Sequence, residues 1–208
     1  MEKLHYEQEI FIKRKVKYYR IFKRCFDLIL SIILLLFCSP LLLISLLIVF
    51  LQDFKNPIFV QKRVGFKNKE YKMYKVRSMI HNAEKNGAQW AQPDDARVTL
   101  FGKFIRRSRI DELPQLWNVI KGEMSLIGPR PESEVFYKEF EKDIPNFRDR
   151  LKVKPGLTGW AQVNGGYDIS PKEKFKLDLY YIDNIGPKLE TEIFFRTIKV
   201  VFTGNGAR

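Results

Sequence analysis

The sequence of 208 residues predicts an α+β protein, in which a long apolar helical segment near the N-terminus precedes a compact, mostly helical domain with a short β-hairpin. Three observations predict this fold class. Residues 28–51 contain no charged side chain. Residues 58–65 and 70–77 are rich in β-branched and aromatic residues and are separated by a short polar stretch, as in a hairpin. Apolar residues then recur at helical spacing along the rest of the chain.

The apolar run at 28–51 is long enough to cross the roughly 30 Å hydrocarbon core of a bilayer as one straight helix. Eight cationic residues precede it and eight follow it as far as Arg77, so the positive-inside rule places both flanks in the cytoplasm. Pro40, at the middle of the run, removes a backbone donor, and Ser39 can hydrogen-bond to a carbonyl that is left free. The sequence thus predicts a membrane-embedded re-entrant helix-break-helix, broken at Ser39 and Pro40.

Two other interpretations of this run stay open. A spanning helix that is merely kinked at Pro40 would have the same composition. A cleaved secretory signal peptide is disfavoured, because the basic region before the run is over 20 residues long and no small-x-small cleavage site lies at its end.

Two regions are predicted from these patterns. Residues 1–54 comprise a basic N-terminal helix and the membrane helix, and residues 55–208 form one cytoplasmic unit, since no repeat or flexible linker divides it. The segment 98–110 carries apolar residues beside three arginines, which is typical of a helix in the membrane interface, although packing onto the core gives the same pattern. The helices predicted in the second region cover residues 79–87, 98–110, 116–120, 132–142, 170–181 and 190–202.

Composition narrows the possible chemistry. Two cysteines and two histidines cannot supply a four-thiolate zinc site or a HExxH metal site, so the chemistry depends on carboxylates and cations. Residues 1–110 hold 22 Lys and Arg against 9 Asp and Glu, and residues 111–208 hold 15 of each, so the net charge of +13 lies entirely in the first half. A basic half can face nucleic acid or anionic lipid, and the apolar anchor within it favours a lipid surface.

The segment at 105–131 concentrates the groups suited to phosphate chemistry. Three arginines precede Asp111 and Glu112, and Gly128-Pro129-Arg130-Pro131 closes the segment. Adjacent carboxylates in regular structure point apart, but one can attack phosphorus while the other holds a divalent cation, and nearby arginines suit a diphosphate. The alternative is structural, because acids after basic residues are common as surface ion pairs and as helix N-terminal residues.

Three sequence motifs resemble those of a known protein family. The runs FVQKRVGFKNKEYKMYKVRSM, RRSRIDELPQLWNVIKGEMSLIGPRP and KVKPGLTGWAQVNGGYD resemble the bacterial sugar transferases, the small monotopic phosphoglycosyl transferases that start exopolysaccharide or glycoconjugate assembly on undecaprenyl phosphate. The resemblance extends from about Tyr19 to the C-terminus, and a complete small protein of minimal form is expected. It implies residence on the cytoplasmic face of the bacterial inner membrane, in contact with anionic lipid and without a nucleic-acid partner.

The resemblance also implies a two-step reaction. Asp111 attacks the β-phosphorus of a UDP-sugar and releases UMP, and undecaprenyl phosphate then attacks the phosphosugar-aspartyl intermediate. Glu112 binds Mg²⁺ in this scheme. The residues implied to bind substrate are Lys75, Arg77, Arg106, Pro129, Arg130 and Pro131. For Arg77 and Arg106, a solvated or lipid-facing charge is an equal alternative.

The third motif is interpreted mainly as a tight backbone scaffold, with Thr158, Trp160 and Gln162 either touching nucleotide or packing. Its continuation NGGYDIS resembles exopolysaccharide-type transferases that use a hexose, so UDP-glucose or UDP-galactose is favoured as the donor. Asp168 and Asp178 could assist the site, although surface carboxylates are common. The rival hypothesis is a non-enzymatic basic scaffold at the membrane surface, binding anionic lipid or nucleic acid, for which Asp111 and Glu112 are dispensable. The oligomeric state is not assigned.

Overall fold

The computed structural model describes residues 2–83, 85, 95–165 and 169–203, with side chains described from residue 18 onward. It contains helices and short strands in the mixture that the sequence predicts. In chain order these are α1 (Glu2–Asp53), β1 (Ile58–Val64), β2 (Glu70–Val76), α2 (Leu100–Arg107), α3 (Gln115–Lys121), β3 (Ser125–Ile127), α4 (Glu134–Phe140), β4 (Gly156–Thr158), α5 (Trp160–Asn164), α6 (Pro171–Asp183) and α7 (Pro187–Thr203). Short 3₁₀ segments also lie between these elements, and one of them, Ile110–Glu112, carries the two acids.

Helix α1 runs without interruption through Ser39 and Pro40, so the predicted break into two helices is corrected. The physical reason lies in one hydrogen bond. Pro40 has no N–H for the carbonyl of Leu36, four residues earlier, and the hydroxyl of Ser39 donates to that carbonyl at 2.8 Å instead. The sequence correctly predicted that Ser39 satisfies the freed carbonyl, and this satisfaction lets the helix continue.

One stripe of α1 packs against the rest of the protein, while its other faces are exposed. The stripe includes Asp27, Ser31, Ser45 and Val49, which are buried and recur at helical spacing. From Tyr18 to Asp53 the helix is long and apolar enough to cross a membrane, and 11% of its most apolar stretch is buried. The exposed apolar side chains include Ile33, Leu36, Phe37, Leu43 and Leu47.

Both ends of the apolar part of α1 are fixed to the same domain. Near its start, Arg24 donates to the carbonyls of Val119 and Ile120 at 2.6 and 2.8 Å. At its end, Asp53 accepts a hydrogen bond of 2.5 Å from Arg77. The helix therefore lies along the domain rather than projecting away from it.

Strands β1 and β2 form the predicted antiparallel hairpin, with Ile58 opposite Val76 and Val64 opposite Glu70. A second, parallel pair that sequence analysis did not predict joins β3 to β4, with Ser125 opposite Gly156. Each strand of this pair has three residues, too short to show an alternating pattern.

Most predicted helices are confirmed with shifted ends. Ser170 caps α6 in a capping box with Glu173, as the Ser-Pro pair indicates, and Gly122 ends α3 with a φ of 83°. The helix predicted at 79–87 is wrong in its first part, because Met79 pairs with Val98 in an isolated β-bridge and a turn follows. The remainder of that prediction falls mostly outside the described residues.

The core connects α1 to the turn that carries the two acids. A cluster of Val49, Val76, Ile105 and Ile110 joins α1, β2 and α2 to the 3₁₀ turn. Full burial of such a side chain contributes roughly 1.5–3 kcal/mol. The acids are thus held in position by packing from three elements.

Candidate active site

Asp111 and Glu112 both lie in the 3₁₀ turn Ile110–Glu112, and both are buried, with 6% and 7% of their surfaces exposed. The turn follows Arg109, whose backbone is left-handed with a φ of 59°. Regular structure would point adjacent side chains apart, whereas this turn lets both carboxylates line one cleft of about 1140 Å³. A buried acid pair at a cleft is an uncommon arrangement for merely structural carboxylates.

Two cations converge on Glu112. Lys75 of β2 lies with its Nζ 3.3 Å from Oε1, and Arg130, in the loop after β3, donates from Nη2 to the same oxygen at 2.6 Å. Burial favours the neutral form, but the charges of Arg130 and Lys75 outweigh it and hold the pKa of Glu112 well below its usual value. Glu112 is therefore an anion throughout the physiological range.

Asp111 differs from its neighbour. Burial raises its pKa to about 6, the negative charge of Glu112 adds to the rise, and the charges of Lys75 and Arg106 oppose it. At neutral pH the carboxylate is ionised in a poorly solvated position. A weakly solvated anion is a better nucleophile than one that is fully hydrated.

The loop that carries Arg130 is fixed by close contact between the second and third motifs. Gly128 donates to the carbonyl of Thr158, and Gly156 donates to the carbonyl of Pro129, each at 2.9 Å. A Cβ on Gly156 would lie 2.1 Å from the backbone nitrogen of Gly128, so the two segments approach too closely for any side chain. The scaffold interpretation of the third motif is confirmed for its glycines.

Pro129 and Pro131 flank Arg130 and are both buried. Pro131 lines the cleft, and Pro129 contributes the carbonyl that Gly156 contacts. Since proline fixes its own φ, the two residues restrict the backbone on either side of the arginine. Their predicted role in substrate binding stays a prediction, and their role in positioning Arg130 follows from this geometry.

The polar residues of the third motif divide between packing and the cleft. The hydroxyl groups of Thr158 and Thr197 are 2.7 Å apart, and Trp160 stacks against Tyr180. Gln162 lines the cleft, and neither polar atom of its buried amide has a partner among the described residues. Trp160 therefore packs, Thr158 lines the cleft while bonded to Thr197, and the amide of Gln162 is available to a ligand.

A buried ion pair behind the cleft was missed by sequence reasoning. Arg150 and Asp178 are fully buried and 2.5 Å apart, and Arg150 also donates to the main-chain carbonyl of Arg130. The alternative that Asp178 is a surface carboxylate is therefore wrong. The local sequence does not indicate that either residue is buried, because both lie in charged segments that are typical of solvent-exposed helix faces. Asp168 lies outside the described residues.

Glu132, which directly follows the GPRP run, has two cationic partners. It pairs with Lys174 at 2.5 Å and with Arg63 at 3.4 Å. Burial favours the neutral form, but Lys174 and Arg63 outweigh it and hold the pKa of Glu132 at about 2. Its position beside Pro131 was the one sequence signal that could have identified it.

The remaining predicted residues lie at different places in the cleft wall. Arg106 lines the cleft beside the acids, and its buried Nη1 has no partner among the described residues. Arg77 also lines the cleft, but its Nη2 contacts Asp53 and the carbonyl of Val49, so it also holds the end of α1. Ser39 and Pro40 lie in α1 and line no part of the cleft.

The residues fit a magnesium ion only with help from a substrate. Within the described part of the chain, no group of three His, Cys, Asp or Glu side chains is placed to hold a metal. Mg²⁺ is commonly bound by one or two carboxylates together with phosphate oxygens and water, and Asp111 with Glu112 meets that requirement beside a diphosphate.

Comparison with known proteins gives consistent matches. A 193-residue stretch is 45% identical to the UDP-N-acetylgalactosamine-undecaprenyl-phosphate N-acetylgalactosaminephosphotransferase of Aeromonas hydrophila and covers 91% of this chain and 46% of that protein. A Bacillus subtilis strain 168 protein named as the uncharacterized sugar transferase EpsL is 39% identical, over 89% of this chain and 90% of its own length. The undecaprenyl-phosphate galactose phosphotransferase of Salmonella typhimurium strain LT2 is 36% identical, over 90% of this chain and 42% of its own.

The chain thus spans less than half the length of two of these relatives. A family model described as bacterial sugar transferase matches residues 18–204, which include the apolar helix, both acids and all three motifs. On that match, the chain belongs to the bacterial sugar transferase family.

Proposed function

We propose that the protein transfers a sugar 1-phosphate from a UDP-sugar to undecaprenyl phosphate and releases UMP. The observation that carries this proposal is the cleft in which buried Asp111 lies beside an anionic Glu112 held by Lys75 and Arg130. The names of the Aeromonas and Salmonella relatives support the same class of reaction. Initiation of exopolysaccharide or glycoconjugate synthesis follows from that reaction.

The reaction proceeds in two displacements at one phosphorus atom. A carboxylate oxygen of Asp111 forms a bond to the β-phosphorus of the donor, and the bond from that phosphorus to the bridging oxygen breaks, so UMP leaves with the bridging oxygen. A phosphate oxygen of undecaprenyl phosphate then attacks the same phosphorus. The bond to Asp111 breaks, the carboxylate is regenerated and the lipid carries a diphosphate-linked sugar.

Neither step requires a proton donor, because both leaving groups are stable anions. Phosphoryl transfer depends mainly on positioning and charge stabilisation, which Lys75 and Arg130 provide at the cleft. We propose Glu112 as the main protein ligand of Mg²⁺, whose charge would offset that of the diphosphate. His81 also lines the cleft, but this chemistry does not depend on a histidine.

The donor sugar is proposed from the third motif and from the names of the relatives. The NGGYDIS sequence favours glucose or galactose, and the Salmonella relative is named for galactose. The Aeromonas relative, which is more similar over this chain, is named for N-acetylgalactosamine. A donor panel therefore has to include all three UDP-sugars.

We also propose that both ends of the apolar part of α1 lie at the cytoplasmic face of the membrane. The contacts of Arg24 and of Asp53 with one domain support this, since a perpendicular spanning helix would carry that polar domain into the hydrocarbon. Exposed Leu100 and Phe104 on α2 suit the same interface. An impermeant thiol reagent should label native Cys25 and a cysteine introduced at Lys55 from the cytoplasmic side of inverted vesicles only. Labelling of the two positions from opposite sides would contradict the proposal.

The reaction is tested with detergent-purified protein, Mg²⁺, undecaprenyl phosphate and the panel of UDP-sugars. Wild type should release UMP from one donor, and Asp111→Asn should not. Asp149→Asn, at an exposed ion pair with Lys152, is the matched control and should keep full activity. If folded wild type releases UMP from no donor, the membrane scaffold becomes the better hypothesis. If Asp111→Asn still releases UMP, Asp111 is not the nucleophile.

A further inference from the structure

We propose that the isoprenoid chain of the acceptor lipid binds in an apolar groove between α1 and α7, and that Arg106 binds its phosphate where the groove meets Asp111. This inference rests on the proposed function and specifies the acceptor's part of the cleft. The groove is defined here by Phe26, Leu30, Leu34, Cys38 and Leu41 on α1 and by Phe194, Ile198 and Val201 on α7.

The α1 wall of the groove is one continuous stripe. Its five residues are spaced by three or four positions, so they share one side of the helix. At 1.5 Å per residue the stripe is about 22 Å long. None of the five carries a charge, and a wall of this kind has no group with which to hold a nucleotide or a sugar.

The α7 wall shows the same character. Phe194, Ile198 and Val201 follow each other at spacings of four and three, and each is only partly buried. Leu157 of β4 and Val163 of α5 contribute further apolar surface to the cleft. In the described part of the chain these apolar side chains are partly exposed to the cleft, and a ligand that covers them gains about 25 cal/mol for each Å² of apolar surface buried.

The polar end of the same cleft offers a position for one phosphate. Arg106 lines it together with Asp111, and its Nη1 is buried without a hydrogen-bond partner in the described residues. A buried guanidinium nitrogen without a hydrogen-bond partner favours an anionic ligand, since its lost hydration is otherwise uncompensated. The groove and the cation together match an amphipathic molecule with an anionic head.

The acceptor fits this shape better than an ordinary membrane lipid does. Its phosphate must reach the phosphorus bound to Asp111, and the apolar groove is part of the cleft that Asp111 lines. One wall is the apolar helix itself, so a lipid chain can enter sideways from the bilayer without crossing water. An ordinary phospholipid carries a phosphodiester and has no terminal phosphate for that attack.

Two matched pairs of variants test the groove by kinetics. Ile198→Trp and Leu34→Trp fill it, whereas Phe195→Trp and Ile33→Trp place the same ring on exposed faces of the same helices. The two groove variants should raise the KM for undecaprenyl phosphate at least tenfold, and the two controls should change it less than twofold. The stoichiometric burst of UMP released without acceptor reports that each variant is folded and forms the intermediate.

The proposal is overturned if the KM for undecaprenyl phosphate is unchanged in both groove variants. It is also overturned if the KM for a soluble five-carbon prenyl phosphate rises as much as the KM for undecaprenyl phosphate. The substitution would then act on the binding of the phosphate and not on that of the isoprenoid chain. No burst in wild type would refute the proposed function itself, which distinguishes the two failures.

Photocrosslinking gives a readout that does not depend on activity. Benzoylphenylalanine at position 198 should crosslink to radiolabelled undecaprenyl phosphate in vesicles, and the same group at position 195 should not. Excess unlabelled undecaprenyl phosphate should abolish the crosslink, and excess phosphatidylglycerol should leave it. Equal competition by both lipids would mean that the groove holds membrane lipid in general and would overturn the assignment to the acceptor.

Discussion

The guanidinium group of Arg150 donates a hydrogen bond of 2.9 Å to the main-chain carbonyl of Arg130, whose own guanidinium contacts Glu112 at 2.6 Å. Arg150 is in turn paired with Asp178 in the interior. A buried ion pair therefore supports the backbone of the arginine that contacts Glu112. Buried ion pairs contribute little net stability compared with apolar residues, so positioning is the better explanation for this one.

A double-mutant cycle separates the effect of Arg150 on protein stability from its effect on the position of Arg130. Arg150→Met leaves the carboxylate of Asp178 buried without its partner and should lower the free energy of unfolding by about 3–5 kcal/mol. Arg150→Met with Asp178→Leu removes both charges and should recover most of that loss. Because the carbonyl of Arg130 still lacks its donor, kcat should stay reduced in the double variant. Full kcat in a stable double variant would refute the positioning role.

Gly156 should tolerate no side chain, since a Cβ there would lie 2.1 Å from the backbone nitrogen of Gly128 and 2.3 Å from the carbonyl oxygen of Thr158. Gly156→Ala forces these segments apart, so we expect about 1–3 kcal/mol of destabilisation and displacement of Arg130 with a loss of kcat. Gly186→Ala is the matched control, because its Cβ would meet nothing closer than 3.9 Å. Thermal unfolding in detergent and UMP release measure both effects. Equal behaviour of the two variants would contradict the close-packing argument.

The two adjacent acids should affect stability in opposite directions. The raised pKa of Asp111, about 6 against 3.8, means that the folded state binds this proton more tightly, so its ionisation lowers stability as pH rises between those values. Asp111→Asn should therefore raise Tm at pH 8, with a stability gain of about 1–3 kcal/mol that shrinks towards pH 4. Glu112 has a lowered pKa, so its ionised form stabilises the fold at pH values above the ordinary pKa of a glutamate. Glu112→Gln should therefore lower Tm at pH 8. A lower Tm for Asp111→Asn at pH 8 would show that its burial is not costly.

The same pKa of Asp111 predicts the pH dependence of the first step. Attack requires the carboxylate, so kcat/KM for the donor should be constant above pH about 6 and fall about tenfold per unit below it. This ratio reports groups of the free enzyme and is measured from initial UMP release at low donor concentration. A profile without a change between pH 5 and 7 would mean that Asp111 is already ionised there.

Much of this site could be predicted from sequence, because Lys75, Asp111, Glu112 and Arg130 lie in recognisable motifs. The position of both acids in one cleft could not be predicted, because it depends on a 3₁₀ turn that follows the left-handed backbone conformation of Arg109. The β3–β4 pair and the Arg150–Asp178 ion pair were also missed. These are contacts between distant segments, and no local pattern encodes them.

The continuity of α1 through Pro40 depends on Ser39, and this dependence can be measured. Ser39→Ala leaves the carbonyl of Leu36 without a donor, which should cost about 1–3 kcal/mol in the free energy of unfolding. In a Pro40→Ala background the restored N–H of residue 40 can bond to Leu36, so Ser39→Ala should then cost little. Unfolding of the four proteins of this cycle in mixed micelles gives the coupling energy between the two residues. A coupling energy near zero would mean that the Leu36 carbonyl is satisfied by some other group, and that the proline is tolerated for a reason unrelated to Ser39.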